Sequence, residues 1–405
     1  MRGTLVWSLA LIGMTLNGAA LAQDSRAQKP RNIILIGWDA AQREHVHEAL
    51  DRGELPVLKA LGAEGKLVDI DIRGTTDTKA GWSQILTGYD PEVTGVYSNG
   101  KYQPVPTGLS VFERLEERFG ADKFVTVAVI GKKQHCGEIN PPRKIRVDEE
   151  QTTSATTGKS KKAKQKDNAA TGDVKDQGQK KKAKKAAAKA QPGAGKKPQG
   201  TIVEENGVKY RVIPGSPYYG MHNAVDVWEF GLMEDQKVGS RAIELLDKYK
   251  DKPFFFFVHF AEVDHSGHKY GENSKEYNDA LISDDQCTGR IIDKLKELGL
   301  YDKTLVYVTA DHGFNQGAKG HGYAPYVTLA TNDPKVKRDG MRQDITPTIL
   351  ARFGLDLSKL SPSLDGEPLT QPATKPVLKA PETKPAKAKV PGAKKQARAG
   401  KKKAA

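Results

Sequence analysis

The sequence predicts an α/β protein, a three-layer α/β/α sandwich around a central, mostly parallel sheet. Three observations predict it. The runs Asn32 to Gly37, Phe124 to Ile130, Phe254 to Phe260 and Thr304 to Thr309 are rich in β-branched and aromatic residues and almost continuously apolar, as strands buried on both faces must be. Between them, Leu109 to Phe119, Gly239 to Tyr249 and Asp284 to Leu298 carry apolar residues at a spacing near 3.6, which marks helices with one buried face. Asp39, Asp264 and Asp311 each follow one of the strands at short range. Ligands of open α/β sheets sit beyond the carboxyl ends of the strands, so three acids delivered there converge on one edge.

The chain begins with Met1 and Arg2, an apolar run from Leu5 to Leu16, and the small-residue stretch Ala19-Ala20-Leu21-Ala22. Residues 1–22 read as a secretory signal peptide, too short to span a bilayer, which takes about 20 apolar residues. The mature chain is therefore expected to be exported, periplasmic or secreted, with no transmembrane segment. The core then falls into two parts, residues 29–150 and 201–357. The four consecutive phenylalanines from Phe254 to Phe257 mark a central strand.

Of 405 residues, 28% are charged and the formal net charge is +14. That sum points to a nucleic-acid partner until its location is considered. Residues 151–200 carry a net +11 and residues 371–405 a net +10, which leaves the rest of the chain at −7. Both segments are rich in Lys, Ala, Gly, Pro and Gln and poor in large apolar residues, so they are expected to be disordered, one as a surface-loop insertion and one as a tail. They suit attachment to an anionic surface or polymer, or serve as solvated spacers. Two cysteines, Cys136 and Cys287, exclude a disulfide-stapled scaffold, and the sequence leaves open whether they pair.

Two of the three acids travel with histidines. Asp264 and His268 are four residues apart in VDHSGHKYG, Asp311 and His312 are adjacent in VTADHGFNQ, and His321 follows between two glycines. Aspartate and histidine together suit zinc, and with Asp39 they make up two sets of three ligands. Two metal ions can stabilise both the entering and the leaving oxygen of a displacement at phosphorus. Of the other histidines, His45 and His47 are expected to face solvent on a helix, while His259 lies within a strand.

A nucleophile is offered by TTDTKAGWSQILTG, where Thr78 opens a helical segment whose free amides can receive an anion. Thr75, Thr76 and Ser83 are the alternatives. Lys79 adds positive charge beside Thr78, and Trp82 offers a flat surface.

Across residues 31–135 and 215–357 the sequence resembles the alkaline phosphatase superfamily, most closely its type I phosphodiesterase/nucleotide pyrophosphatase branch. The segments that carry the resemblance are IILIGWDAA, TKAGWSQILTGYDPEVTGV, FVTVAVIGK, VDHSGHKYG, VYVTADHG, GHG and QDITPTILARFGL. It implies that Thr78 is the nucleophile. It also implies that Asp39, Asp311 and His312 hold one zinc together with Thr78, while Asp264, His268 and His321 hold the other, with Mn2+ or Ca2+ as alternatives. Asn99 would hold a non-bridging phosphate oxygen together with the backbone amide of Lys79. Where the branch commonly has Pro-Asn-His after the nucleophile, this chain has Lys79-Ala80-Gly81-Trp82, which makes Lys79 a candidate substrate contact. The GKKQH segment is similar to a sulfate-binding element of sulfatases and brings in Lys132 as another.

The expected function is a zinc-dependent phosphohydrolase, a phosphodiesterase or nucleotide pyrophosphatase acting on a small phosphoester substrate. The alternatives are a sulfatase-like or phosphonate hydrolase, a phosphoryl-headgroup transferase, and a noncatalytic polyanion-binding protein. The formylglycine motif of sulfatases is absent, since Cys136 lies in QHCGEIN, far from the Thr78 segment.

Overall fold

A computed structural model describes residues 30–148 and 200–375. The expected signal peptide, residues 151–199 of the lysine-rich insertion and the tail beyond residue 375 lie outside the described residues. Among the described residues, no helix is long and apolar enough to cross a membrane.

In chain order the strands are β1 (Asn32–Trp38), β2 (Lys66–Asp71), β3 (Val125–Ile130), β4 (Arg143–Arg146), β5 (Thr201–Glu205), β6 (Val208–Ile213), β7 (Val227–Phe230), β8 (Phe254–Phe260), β9 (Thr304–Thr309), β10 (Tyr326–Thr331) and β11 (Gly340–Met341). The helices are α1 (Arg43–Asp51), α2 (Pro56–Glu64), α3 (Thr78–Thr87), α4 (Pro91–Thr94), α5 (Val111–Phe119), α6 (Asp235–Tyr249), α7 (Glu262–Tyr270), α8 (Lys275–Glu297) and α9 (Ile345–Arg352). They form two units, a smaller one over residues 140–216 and a larger one from the described residues on either side of it.

The larger unit is built on an eight-stranded sheet in the order β11-β2-β10-β9-β1-β8-β3-β7. The four expected strands, β1, β3, β8 and β9, are its centre and run parallel to one another. Each is buried along its whole length, which explains the unbroken apolar runs. Side chains alternate between the two faces of a strand. Phe255 meets Phe112 of α5 and Phe257 meets Trp82 of α3, at ring-centroid distances of 5.3 and 5.1 Å, so Phe254 and Phe256 point into the opposite layer, where α6 packs on β8. The expected parallel arrangement ends at β10, which pairs antiparallel with both β9 and β2.

Register positions the site. Gly37 of β1 pairs with His259 of β8 and with Thr309 of β9, so three strands finish level with one another. The residues that follow, Asp39, the start of α7 and Asp311, therefore leave the sheet at the same edge. Local signals fix the helices. Ser110 and Glu113 form a reciprocal capping box on α5, Ser274 caps α8, and Gly88 closes α3 at φ 78°, a conformation costly for any residue with a Cβ.

The smaller unit contains a three-stranded antiparallel sheet in the order β4-β6-β5. Both cysteines are buried free thiols.

Candidate functional site

Asp39 directly follows β1, Asp264 and His268 lie one turn apart on α7, and Asp311 and His312 follow β9. The loop from Gly313 to Pro325 returns His321 to the same place, where its backbone oxygen accepts a hydrogen bond from Thr76 Oγ. The six residues form two groups. Asp39, Asp311 and His312 bring one ligand atom each within 4.8 Å of one another, and so do Asp264, His268 and His321. The groups adjoin, since His312 stacks on His321 with centroids 3.9 Å apart and Nε2 of His312 lies 4.0 Å from Asp264 Oδ1.

The histidine tautomers are fixed by their backs. A carbonyl only accepts, so the Nδ1–H of His312 donates to Gly313 O at 3.0 Å and the Nδ1–H of His268 donates to Lys319 O at 2.8 Å. The Nε2 atoms are left facing the carboxylates, the orientation that metal-ligating histidines take. Burial, with His321 as the next cause, pushes His312 down to about 3. It is a neutral imidazole with a lone pair aimed into the site. Asp311 Oδ2 and His321 Nδ1 are buried with no hydrogen-bond partner among the described residues. Orphaned acceptors in two mixed Asp/His sets fit two divalent metal ions with oxygen and nitrogen preference, as zinc has.

Burial alone raises the carboxyl groups here. Lys132 and His259 outweigh it at Asp39, and Lys132 and His268 outweigh it at Asp264, so both are held below the usual carboxylate range. At Asp311 burial wins, reinforced by Asp39, and the carboxyl is held well above that range.

Thr78 is the first residue of α3, and its Oγ lies 3.3 Å from His312 Nε2 and 3.2 Å from Lys132 Nζ. Asp77 precedes it but does not cap the helix, since its Oδ2 accepts instead from Asn99 N at 2.8 Å. The hydroxyl at the helix start faces His312 and Lys132. All of α3 is buried, and Gly81 allows this, because a Cβ there would come within 2.7 Å of Asp311 Cβ.

The structure brings Thr78, Lys132 and the six ligand candidates together. Asn99 lies beside them, with Oδ1 accepting from Lys79 N at 3.0 Å. That amide is therefore already engaged by Asn99. The Lys79 side chain is placed otherwise: its ammonium pairs with Glu138 at 2.7 Å and lies 3.5 Å from the centroid of the Tyr102 ring. Trp82 presents no surface to a ligand, because it is fully buried against Gly37, Phe257 and His259. His45 is also not solvent-facing. It is buried between Glu48 and Glu272 beside a cleft of about 650 Å³ that shares Phe314 with the site.

Two residues to which the sequence reading gave no role in the site complete the arrangement. His259 donates from Nε2 to Asp39 Oδ2 at 2.8 Å. A histidine inside an otherwise apolar strand was the available signal, because such a group is buried only with a partner. Arg342 is buried and reaches Asp311 O at 2.6 Å, Thr75 O at 3.1 Å and the side chain of Gln84.

A threonine hydroxyl at a helix start, beside one of two adjoining Asp/His groups at the carboxyl edge of a parallel sheet, has the architecture of a phosphoryl-transfer enzyme. The family model described as type I phosphodiesterase / nucleotide pyrophosphatase matches residues 33–352, and the chain belongs to that family, whose members act on phosphoester bonds. Among curated proteins, a 2,3-bisphosphoglycerate-independent phosphoglycerate mutase of Clostridium kluyveri is 30% identical over 139 residues, which is 31% of this chain and 26% of that protein. A bis(5'-adenosyl)-triphosphatase of Mus musculus is 42% identical over 66 residues, 16% of this chain and 14% of that protein. The human ectonucleotide pyrophosphatase/phosphodiesterase family member 1 is 38% identical over 68 residues, 17% of this chain and 7% of that protein. The matched segment is thus at most 26% of the length of these relatives. Among solved structures, a protein in the alkaline phosphatase superfamily from Vibrio parahaemolyticus aligns at 16% identity and TM-score 0.48, covering 88% of this chain and 78% of that one.

Proposed function

We propose that this chain is an exported, zinc-dependent phosphohydrolase, a phosphodiesterase or nucleotide pyrophosphatase that works through Thr78. The observation that carries the reading is the position of Thr78 Oγ at the start of α3, 3.3 Å from His312 Nε2 of one Asp/His group and 3.2 Å from the Lys132 ammonium, which touches an acid of each group. Asp39, Asp311 and His312 hold one zinc with Thr78, and Asp264, His268 and His321 hold the other. Bound there, the two ions make the hydroxyl a stronger nucleophile and offset charge on the phosphoryl oxygens.

Thr78 gives up its proton to solvent, and Oγ attacks phosphorus in line with the leaving group. The new Oγ–P bond forms as the bond from phosphorus to the leaving oxygen breaks, and that oxygen takes a proton from water. A water molecule then attacks the phosphothreonine, breaks its Oγ–P bond and returns the hydroxyl. Asn99 is oriented by the amide of Lys79, which occupies its Oδ1 and leaves the Nδ2 donors for a non-bridging oxygen. Lys132, 3.2 Å from Thr78 Oγ, offers its ammonium to a phosphoryl oxygen. Lys79 acts on the substrate only through the charge it adds, its ammonium being engaged by Glu138. The signal-like residues 1–22 support export, and the lysine-rich segments hold the enzyme to an anionic surface or polymer.

The test is hydrolysis of bis-p-nitrophenyl phosphate, p-nitrophenyl phosphate and p-nitrophenyl sulfate by the full chain, with and without chelator, alongside Thr78→Ala. The expected result is chelator-sensitive cleavage of the diester that falls by roughly 10³-fold or more in the variant. Preferential sulfate cleavage supports the sulfatase-like alternative. No cleavage of any of the three supports a noncatalytic polyanion-binding protein.

A further inference from the structure

Lys132 touches both ligand groups at once. Its Nζ lies 2.9 Å from Asp39 Oδ1 in one group and 2.9 Å from Asp264 Oδ2 in the other. The side chain is only 8% exposed, so neither ion pair is diluted by solvent. Lys132 stands two residues beyond the end of β3, the strand next to β8, and its four-carbon stem carries the ammonium under the edge where the three acids emerge.

Asp39, Asp264 and Asp311 are all buried, and carboxylates gathered out of water repel one another unless a cation lies among them. Lys132 is that cation in the protein alone. It also sits against oxygen atoms that a metal ion in either group would use. A divalent ion bound to Asp39 or to Asp264 would lie within a few ångströms of the ammonium and be repelled by it.

We propose that Lys132 is an internal counter-cation that keeps the site assembled without metal and weakens metal binding, so that filling both ligand groups releases its ammonium from Asp39 and Asp264. The proposal rests on the two-metal reading above. It links the two groups, because one lysine holds a carboxylate from each. It also sets an order: the ammonium becomes free to meet a phosphoryl oxygen only after the ions are in place.

The experiment titrates Zn2+ into the metal-stripped full chain in competition with a chromophoric chelator, for the unsubstituted protein, Lys132→Met and Lys132→Arg. Lys132→Met removes the charge with little loss of length, and Lys132→Arg keeps it. Lys132→Met is expected to bind zinc more tightly by about tenfold or more, the scale on which one neighbouring charge shifts a carboxylate. Its metal-free form should melt at a lower temperature than the unsubstituted protein, and Lys132→Arg should retain the weaker zinc affinity. Two ions bound with equal or weaker affinity by Lys132→Met would overturn the inference and leave the metal reading standing. No zinc bound by either protein would overturn both. If the metal-stripped Lys132→Met does not fold, the 15N resonance of the Lys132 ammonium in the unsubstituted protein decides: it should shift and lose its exchange protection as zinc is added, and an unchanged signal would overturn the inference.

Discussion

His259 Nε2 lies 2.8 Å from Asp39 Oδ2, which places a histidine of the central strand β8 directly behind an acid at the end of β1. The donated hydrogen bond fixes one carboxylate oxygen and leaves the other for the site. Both residues are fully buried, so neither can turn away to solvent.

From this contact we expect His259→Ala to weaken zinc binding by about 10- to 100-fold, the usual effect of losing a partner that orients a metal ligand. His259→Gln, which can still donate to Asp39, should restore much of it. Competition with a chromophoric chelator measures both. Equal loss in the two variants would mean that His259 matters for packing against Trp82 and Phe257 rather than for Asp39.

Arg342 ties together the segment before α3, α3 itself and the backbone after β9, through Thr75 O, Gln84 and Asp311 O. Burial pushes its guanidinium down to about 10, so it stays charged at neutral pH. Lysine carries one donor centre and cannot span these acceptors. Arg342→Lys should cost about 3 kcal/mol, from buried acceptors left unpaired. Denaturant unfolding reads this directly, and a midpoint equal to that of the unsubstituted protein would remove Arg342 from the framework of the site.

Beneath α7, Asp235 accepts hydrogen bonds from Ala261 N at 2.7 Å and Glu262 N at 3.0 Å. Burial raises it from 3.8 to about 7, while burial and the neighbouring Asp235 hold Asp284 well above the usual range. Both folded values lie above the unfolded ones, so the native state holds protons that the unfolded chain has released. The stabilisation from the Asp235 proton is complete below about pH 4 and is lost as pH rises through about 7, and Asp284 acts in the same direction. Asp284→Asn removes one of the two titrations. Its melting temperature should therefore gain on that of the unsubstituted protein between pH 4 and pH 8, and a constant difference over that range would exclude the pair as the cause.

The centre of the fold was legible because its strands are buried on both faces, and an unbroken run such as Phe254 to Phe257 has few other readings. The ligand groups were legible because Asp39, Asp264 and Asp311 follow strands at short range and two of them bring histidines. What escaped depends on orientation. Lys79, Trp82 and His45 are polar or amphipathic residues on helices, and sequence does not show that α3 is buried on every side or that Glu272 covers His45. β11 has only two residues and β2 a mixed burial pattern, so neither stands out. Arg342 bonds to the Gln84 side chain and to two backbone oxygens, and backbone acceptors leave no mark in a sequence.

The lysine-rich insertion enters the chain through β4 and leaves it through β5, and these strands lie on either side of β6. Both run antiparallel to β6 and so parallel to each other, and the connection between them has to return from the end of β4 to the start of β5. A crossover between parallel strands takes about a dozen residues. Everything longer is free to vary in evolution or by design, as cargo on a socket whose strands are already paired. Replacing residues 149–199 with a Gly/Ser crossover of about a dozen residues would show what the cargo alone contributes.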